Sequence, residues 1–289
     1  MPSRILDIHP HIITTDTETY PRAPLGGNQS GWSRDRPTTT EQLLAAMDAA
    51  GVAKAAIVQS STCYGFDNSY VADAVAAHPD RFTGVFSVDV LADDAPQRIR
   101  EWVVDRKLTG LRLFTTGSTM PGQASWLADP RTFPAWECAR ELGIPVCVQM
   151  RAEGFPQLQE ILSRFPEVPI ILDHLWQIPL EEGPPYTAAD ALYQVVRYPN
   201  VYLKLTSVTM DNARKGKASP ETYLPRVVSE FGADRIAWGS NFPATPGTLK
   251  EILDDSLAAL AWASEADKEH IFRRTAEKLY PALAGHAER

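Results

Sequence analysis

Ile5-Leu6-Asp7-Ile8-His9-Pro10-His11 decides the fold. Ile5–His9 is an apolar run long enough for one buried strand, and His9 and His11 stand at its end. An open doubly wound sheet would carry a glycine-rich phosphate turn after its first strand. His-Pro-His stands there instead, so the run reads as the first strand of a closed barrel whose rim carries chemistry. Seven further runs share its character, at 54–59, 82–88, 109–114, 144–150, 168–174, 201–207 and 235–241. Each is short and rich in Val, Ile, Leu or Phe, as parallel strands covered on both faces must be.

Helical periodicity fills the gaps, at 40–50, 69–77, 94–106, 130–142, 154–165, 188–197, 219–231, 247–263 and 265–283. Gly51, Gly143 and Gly232 stop three of these segments, and Pro220 stands at the first turn of another. Strand–helix alternation repeated eight times predicts an α/β fold, a (βα)8 TIM barrel, with residues 1–289 as a single domain. Three connections, 12–38, 175–187 and 208–218, are too long for plain turns. Each follows the C-terminal end of a strand, where a barrel builds its site.

Bulk properties narrow the function. A net charge of −8 offers no basic excess for nucleic acid or an anionic membrane. No stretch has the length and apolarity of a signal peptide or a membrane span, so the reading is cytoplasmic. Cys63, Cys138 and Cys147 are an odd number without a CxxC pair, and are expected as reduced thiols. Composition leaves the oligomeric state open.

Three of the six histidines fall at predicted strand ends. In extended chain, His9 and His11 point to the same side. His174 follows the apolar run Ile170-Ile171-Leu172-Asp173. Together they are candidate metal ligands, or neutral imidazoles that hold a carbonyl or a water. Asp7 and Asp173 are expected to orient their rings. His78, His270 and His286 sit where ordinary surface or packing roles suffice. Asn241, in Gly239-Ser240-Asn241-Phe242-Pro243, projects at the end of the eighth strand.

Charged residues near strand ends point to an anionic small-molecule substrate. Arg112 and Arg151 are candidates for binding a carboxylate. Lys204, inside an apolar strand, either pairs with a neighbour or faces that anion. Tyr64 and Trp176 are expected to wall the pocket, and Gln149 to contact substrate.

The His-x-His on the first strand, the histidine on the sixth and the Gly-Ser-x-aromatic-Pro turn on the eighth resemble the amidohydrolase superfamily. The likeness spans essentially the whole chain. More narrowly it is to the metal-dependent-hydrolase branch that includes 2-pyrone-4,6-dicarboxylate lactonase, other lactonases and some decarboxylases. The resemblance implies catalytic roles for His9, His11, His174 and Asn241. It also implies a hydrolase opening a small carboxylated lactone or cyclic ester or amide. A decarboxylase, a hydratase or a catalytically silent binding barrel are the alternatives.

Two departures stand out. Gln149 replaces a histidine that ligates metal in many relatives, and Arg112 replaces a bridging lysine or carboxylate, so a binuclear centre is not expected. One Zn²⁺ on His9, His11 and His174, or no metal at all, fits equally. Asn241 replaces the usual general-base aspartate, and an amide cannot take a proton from water. Asp7, His174, Asp67 and Asp211 are the candidate bases. A bound zinc would relax the need for one.

Overall fold

The computed structural model describes residues 2–115 and 125–285. His286 lies outside them. Eight strands, β1 (Ile5–Asp7), β2 (Val52–Val58), β3 (Phe82–Phe86), β4 (Gly110–Phe114), β5 (Val146–Gln149), β6 (Ile170–Leu172), β7 (Val201–Thr206) and β8 (Ile236–Gly239), form one sheet in sequential order. All seven neighbouring pairs are parallel. Backbone hydrogen bonds from Ile8 N to Trp238 O (3.2 Å) and from Asn241 N to His9 O (3.0 Å) join the last strand to the first. The result is the TIM barrel expected from the strand pattern.

Close approach at this seam dictates a small residue. A Cβ added to Gly239 would lie 2.5 Å from the Cβ of His9. The glycine therefore lets β8 pass directly behind the histidine, a reason separate from turn formation.

The helices pack their apolar stripes outside the sheet. Thr40–Ala50 is capped one residue before its predicted start. Thr39 accepts from Gln42 N, and the Gln42 side chain returns the bond, a capping box. Gly51 ends it in the left-handed conformation. The predicted 94–106 helix is interrupted, with Ala95–Arg100 α-helical and Glu101–Asp105 widened into a π turn. The last segment is likewise broken by a π turn at His270–Arg274. Beyond it, buried Tyr280 and Leu283 pack with Leu6, Val85 and Cys147 and fill the N-terminal end of the barrel. The Tyr280 hydroxyl lies 3.3 Å from Cys147 Sγ.

All three cysteines are buried and unpaired. Among the described residues no helix is long and apolar enough to cross a membrane.

Candidate active site

The strands end early at the site, and the functional side chains lie just beyond them. β1 closes at Asp7, so His9 and His11 stand on the segment that follows it. A buried Asp7 carboxylate shapes that segment. Its Oδ1 accepts from His9 N (2.9 Å) and from Ser240 N (2.8 Å), tying the β1 exit to the β8 exit. Burial pushes the Asp7 pKa up to about 6, against those hydrogen bonds and Lys204. Asp7 thus holds backbone rather than an imidazole ring.

β6 ends at Leu172, and the chain then makes an uncommon turn. His174, Leu175, Trp176 and Gln177 all have positive φ, between 47° and 62°. None is glycine, and each residue in this region costs about 1–2 kcal/mol. Burial of Leu175 and Trp176 in the core offsets that strain. The left-handed turn places His174 and Gln177 together on the wall of one cavity.

His11 joins His174 on that wall, and the fully buried His9 ring packs against both. The His9 ring centroid lies 4.9 Å from that of His11 and 4.9 Å from that of His174, edge to face in both cases. All three rings are buried. Burial lowers the pKa of each. His11 falls to about 3, with Arg112 adding to the effect. His174 falls to about 4 in spite of Asp173. His9 also drops well below its usual value through burial, then Lys204. The rings are therefore neutral near pH 7.

Each ring has a different set of partners. His11 Nδ1 lies 2.7 Å from the Val58 carbonyl, which can only accept. The proton is on Nδ1, and Nε2 keeps its lone pair. His174 Nδ1 lies 2.8 Å from Thr206 Oγ1. The two nitrogens of His9 are buried with no hydrogen-bond partner, a costly state that a bound ligand would relieve.

Beneath the histidines is an ion cluster. Asp173 receives Arg112 Nε at 2.9 Å and Lys204 Nζ at 2.8 Å, all three groups buried. Burial pushes the Asp173 carboxyl up, but Lys204 and then Arg112 hold it well below the usual range. Lys204 therefore pairs with a neighbour. Of the two roles its place in an apolar strand allowed, pairing is the one seen; Lys204 does not line the cavity, so the substrate contact also expected of it is not made. Asp173 Oδ1 stays 3.9 Å from His9 Nδ1, so it orients no ring through a short hydrogen bond.

The cavity measures about 460 Å³ and is bordered by His11, His174, Arg112, Gln149, Arg151 and Asn241, together with Trp32, Ser60, Ser61, Thr62, Phe114, Gln177, Val208 and Ala244. That volume suits a small molecule. Gln149 Oε1 accepts from Arg112 Nη2, which leaves its amide nitrogen to donate. Asn241 has φ 58° and donates from Nδ2 to Thr245 Oγ1 at 3.0 Å.

Two expected pocket walls lie elsewhere. Tyr64 packs with Ile13 and Cys63, and its hydroxyl accepts from Thr14 N. Trp176 is turned into the core by the left-handed geometry around it. Neither Asp67 nor Asp211 borders the cavity, and among the described residues lining it there is no carboxylate. Trp32, 5.1 Å from the His11 ring, and Gln177 are contributed by two of the long loops. Loop length pointed to the segments, but not to these side chains.

A metal can be tested against this donor set. His9, Asp173 and His174 offer ligand atoms within 4.8 Å of one another. His11, one of the three histidines expected to ligate, is not in that group, although with Nδ1 on the Val58 carbonyl its Nε2 keeps the lone pair a ligand needs. The unpartnered nitrogens of His9 and the mixed N/O donors fit one divalent ion of the zinc type.

Comparison with known proteins agrees with this architecture. Residues 6–282 match the family model for amidohydrolases. An L-fucono-1,5-lactonase of Burkholderia ambifaria is 28% identical over 232 residues, 79% of this chain and 76% of the relative. A 4-sulfomuconolactone hydrolase of Rhizobium radiobacter is 24% identical over 255 residues, covering 84% and 77%. A crystal structure of a zinc-bound amidohydrolase from Burkholderia multivorans superposes with a TM-score of 0.76 at 19% identity, covering 96% of this chain and 99% of that one. With a matched model running from β1 to the C-terminal plug, this chain belongs to the amidohydrolase family.

Proposed function

We propose that the chain hydrolyses a small carboxylated lactone. The observation that carries the reading is a packed trio of neutral imidazoles, two of which, His11 and His174, line one cavity whose charged groups are arginines. The named relatives, both lactone hydrolases, support the reaction class.

Arg151, with Arg112 beside it, binds the substrate carboxylate. The Gln149 amide nitrogen, fixed by Arg112, donates to the ring carbonyl oxygen as charge develops there. Water, held by a hydrogen bond to the lone pair of His11 Nε2, attacks the carbonyl carbon; with a pKa of about 3 that nitrogen orients the water rather than keeping its proton. The ring C–O bond then breaks, and the water's proton goes to the departing alkoxide to give the hydroxy acid. Asn241 positions water rather than deprotonating it. A divalent ion held by His9, Asp173 and His174 would supply Lewis acidity when bound.

A hydrolysis screen over carboxylated lactones and cyclic amides tests this, with a His9→Ala/His174→Ala double variant as the reference. Turnover in the wild type that falls at least about 100-fold in the variant is expected. No turnover above the variant would defeat the reading.

A further inference from the structure

Next to the histidine cavity lies a second one, of about 190 Å³. Phe66, Val90, Leu91, Leu113, Phe114 and Trp126 line it, and apart from Asp89 and Arg112 all its described lining residues are apolar. Arg112 and Phe114 border both cavities. The Arg112 guanidinium lies over the Phe114 ring at 5.3 Å, so one stacked pair separates an anion-binding space from an apolar one. Phe66 is 39% exposed, a large apolar surface left facing solvent. A cavity of about 150 Å³ lined by Leu, Ile and Phe is enough to take up benzene.

We propose that the substrate carries an apolar substituent that lodges in this second cavity while its lactone carbonyl sits beside the histidines. The volume admits an alkyl chain of about four carbons or one phenyl ring. This rests on the lactone reading and narrows it. A polyhydroxylated sugar lactone would leave the apolar space unfilled, whereas an alkyl- or aryl-substituted lactone acid fills both spaces. Phe66, Leu91 and Trp126 become specificity-determining residues, and Phe114 forms the sill between the two groups.

The test uses δ-lactone carboxylates bearing methyl, propyl, pentyl or phenyl on the ring carbon bonded to the ring oxygen. It also uses the matching carba analogues, in which a methylene replaces that oxygen and ring opening is impossible. For wild type, kcat/KM on the lactones and Kd of the analogues should improve about fourfold per added methylene until the cavity is full. Leu91→Trp, which fills the space, should bring the propyl-to-methyl ratio close to one.

If lactones turn over but both wild-type series are flat, this inference falls and the lactone reading stands. If no lactone turns over while analogue affinity still climbs with chain length, the lactone reading falls and the apolar subsite stands. No turnover together with flat binding overturns both.

Discussion

Replacing Lys204 with methionine keeps the volume of a side chain that is wholly buried and removes its charge. At 2.8 Å from Asp173 Oδ1 the ammonium is attracted by about 6 kcal/mol at an effective dielectric of 20. Desolvation of both ions cancels much of that. Breaking a buried pair from one side costs about 3–5 kcal/mol, and Arg112 still holds the other oxygen of Asp173. The lower figure, about 3 kcal/mol, therefore applies. With roughly 2.1 cal/mol/K of unfolding entropy per residue, 289 residues give about 0.6 kcal/mol/K, so Tm should fall about 5 °C.

The assay is thermal and urea unfolding of the wild type, Lys204→Met, Asp173→Asn and the double variant. The cycle should show a coupling of about 2 kcal/mol. The pH dependence has a defined sign. The Asp173 pKa is lowered in the folded state, so its pairing stabilises fully above the ordinary value of 3.8 and is lost as pH falls through the folded value. The deficit of Lys204→Met should be constant from about pH 5 to 8 and shrink in stronger acid. A Tm within 1 °C of wild type, roughly 0.6 kcal/mol, together with additive single effects, would refute the ion cluster as a structural floor for the histidines.

Two further substitutions probe the site's backbone. Gln177→Gly relieves about 1–2 kcal/mol of strain at φ 51° and adds about 0.5–1 kcal/mol of unfolded-chain entropy, so stability should rise slightly in urea titrations. The same change removes a cavity side chain and should lower kcat/KM about tenfold. Gly239→Ala forces a methyl to within 2.5 Å of His9 Cβ. It should cost roughly 2 kcal/mol in unfolding experiments and, by displacing His9, about 100-fold in kcat/KM.

The barrel was legible in the sequence because its signal is repeated and local. All eight strands lie on the apolar runs that predict them, with ends within two residues. His9, His11 and His174 were legible for a similar reason, since each follows an apolar strand run. Side-chain destinations were harder to read. Trp176 lies two residues after His174, and only the positive φ values between them send it into the core. No propensity of Leu, Trp or Gln encodes such a turn.

Lys204 could be recognised as needing a partner, but Asp173 as that partner depends on the register of β6 against β7. Tyr64 looked like a pocket wall because it follows β2. The short helix Ser61–Tyr64 turns it away, to bond Thr14. The apolar cavity draws on the β2, β3 and β4 exits together, a coincidence in space that no single segment announces.

A crystal structure of the protein with a ring-opened hydroxy acid of a turned-over lactone tests the shared pocket most directly. The new carboxyl should lie within hydrogen-bond reach of His11 Nε2 and beside His174, with the second carboxylate on Arg151 or Arg112. A product bound away from these imidazoles, with the His9, His11 and His174 rings contacting none of its atoms, would contradict the account.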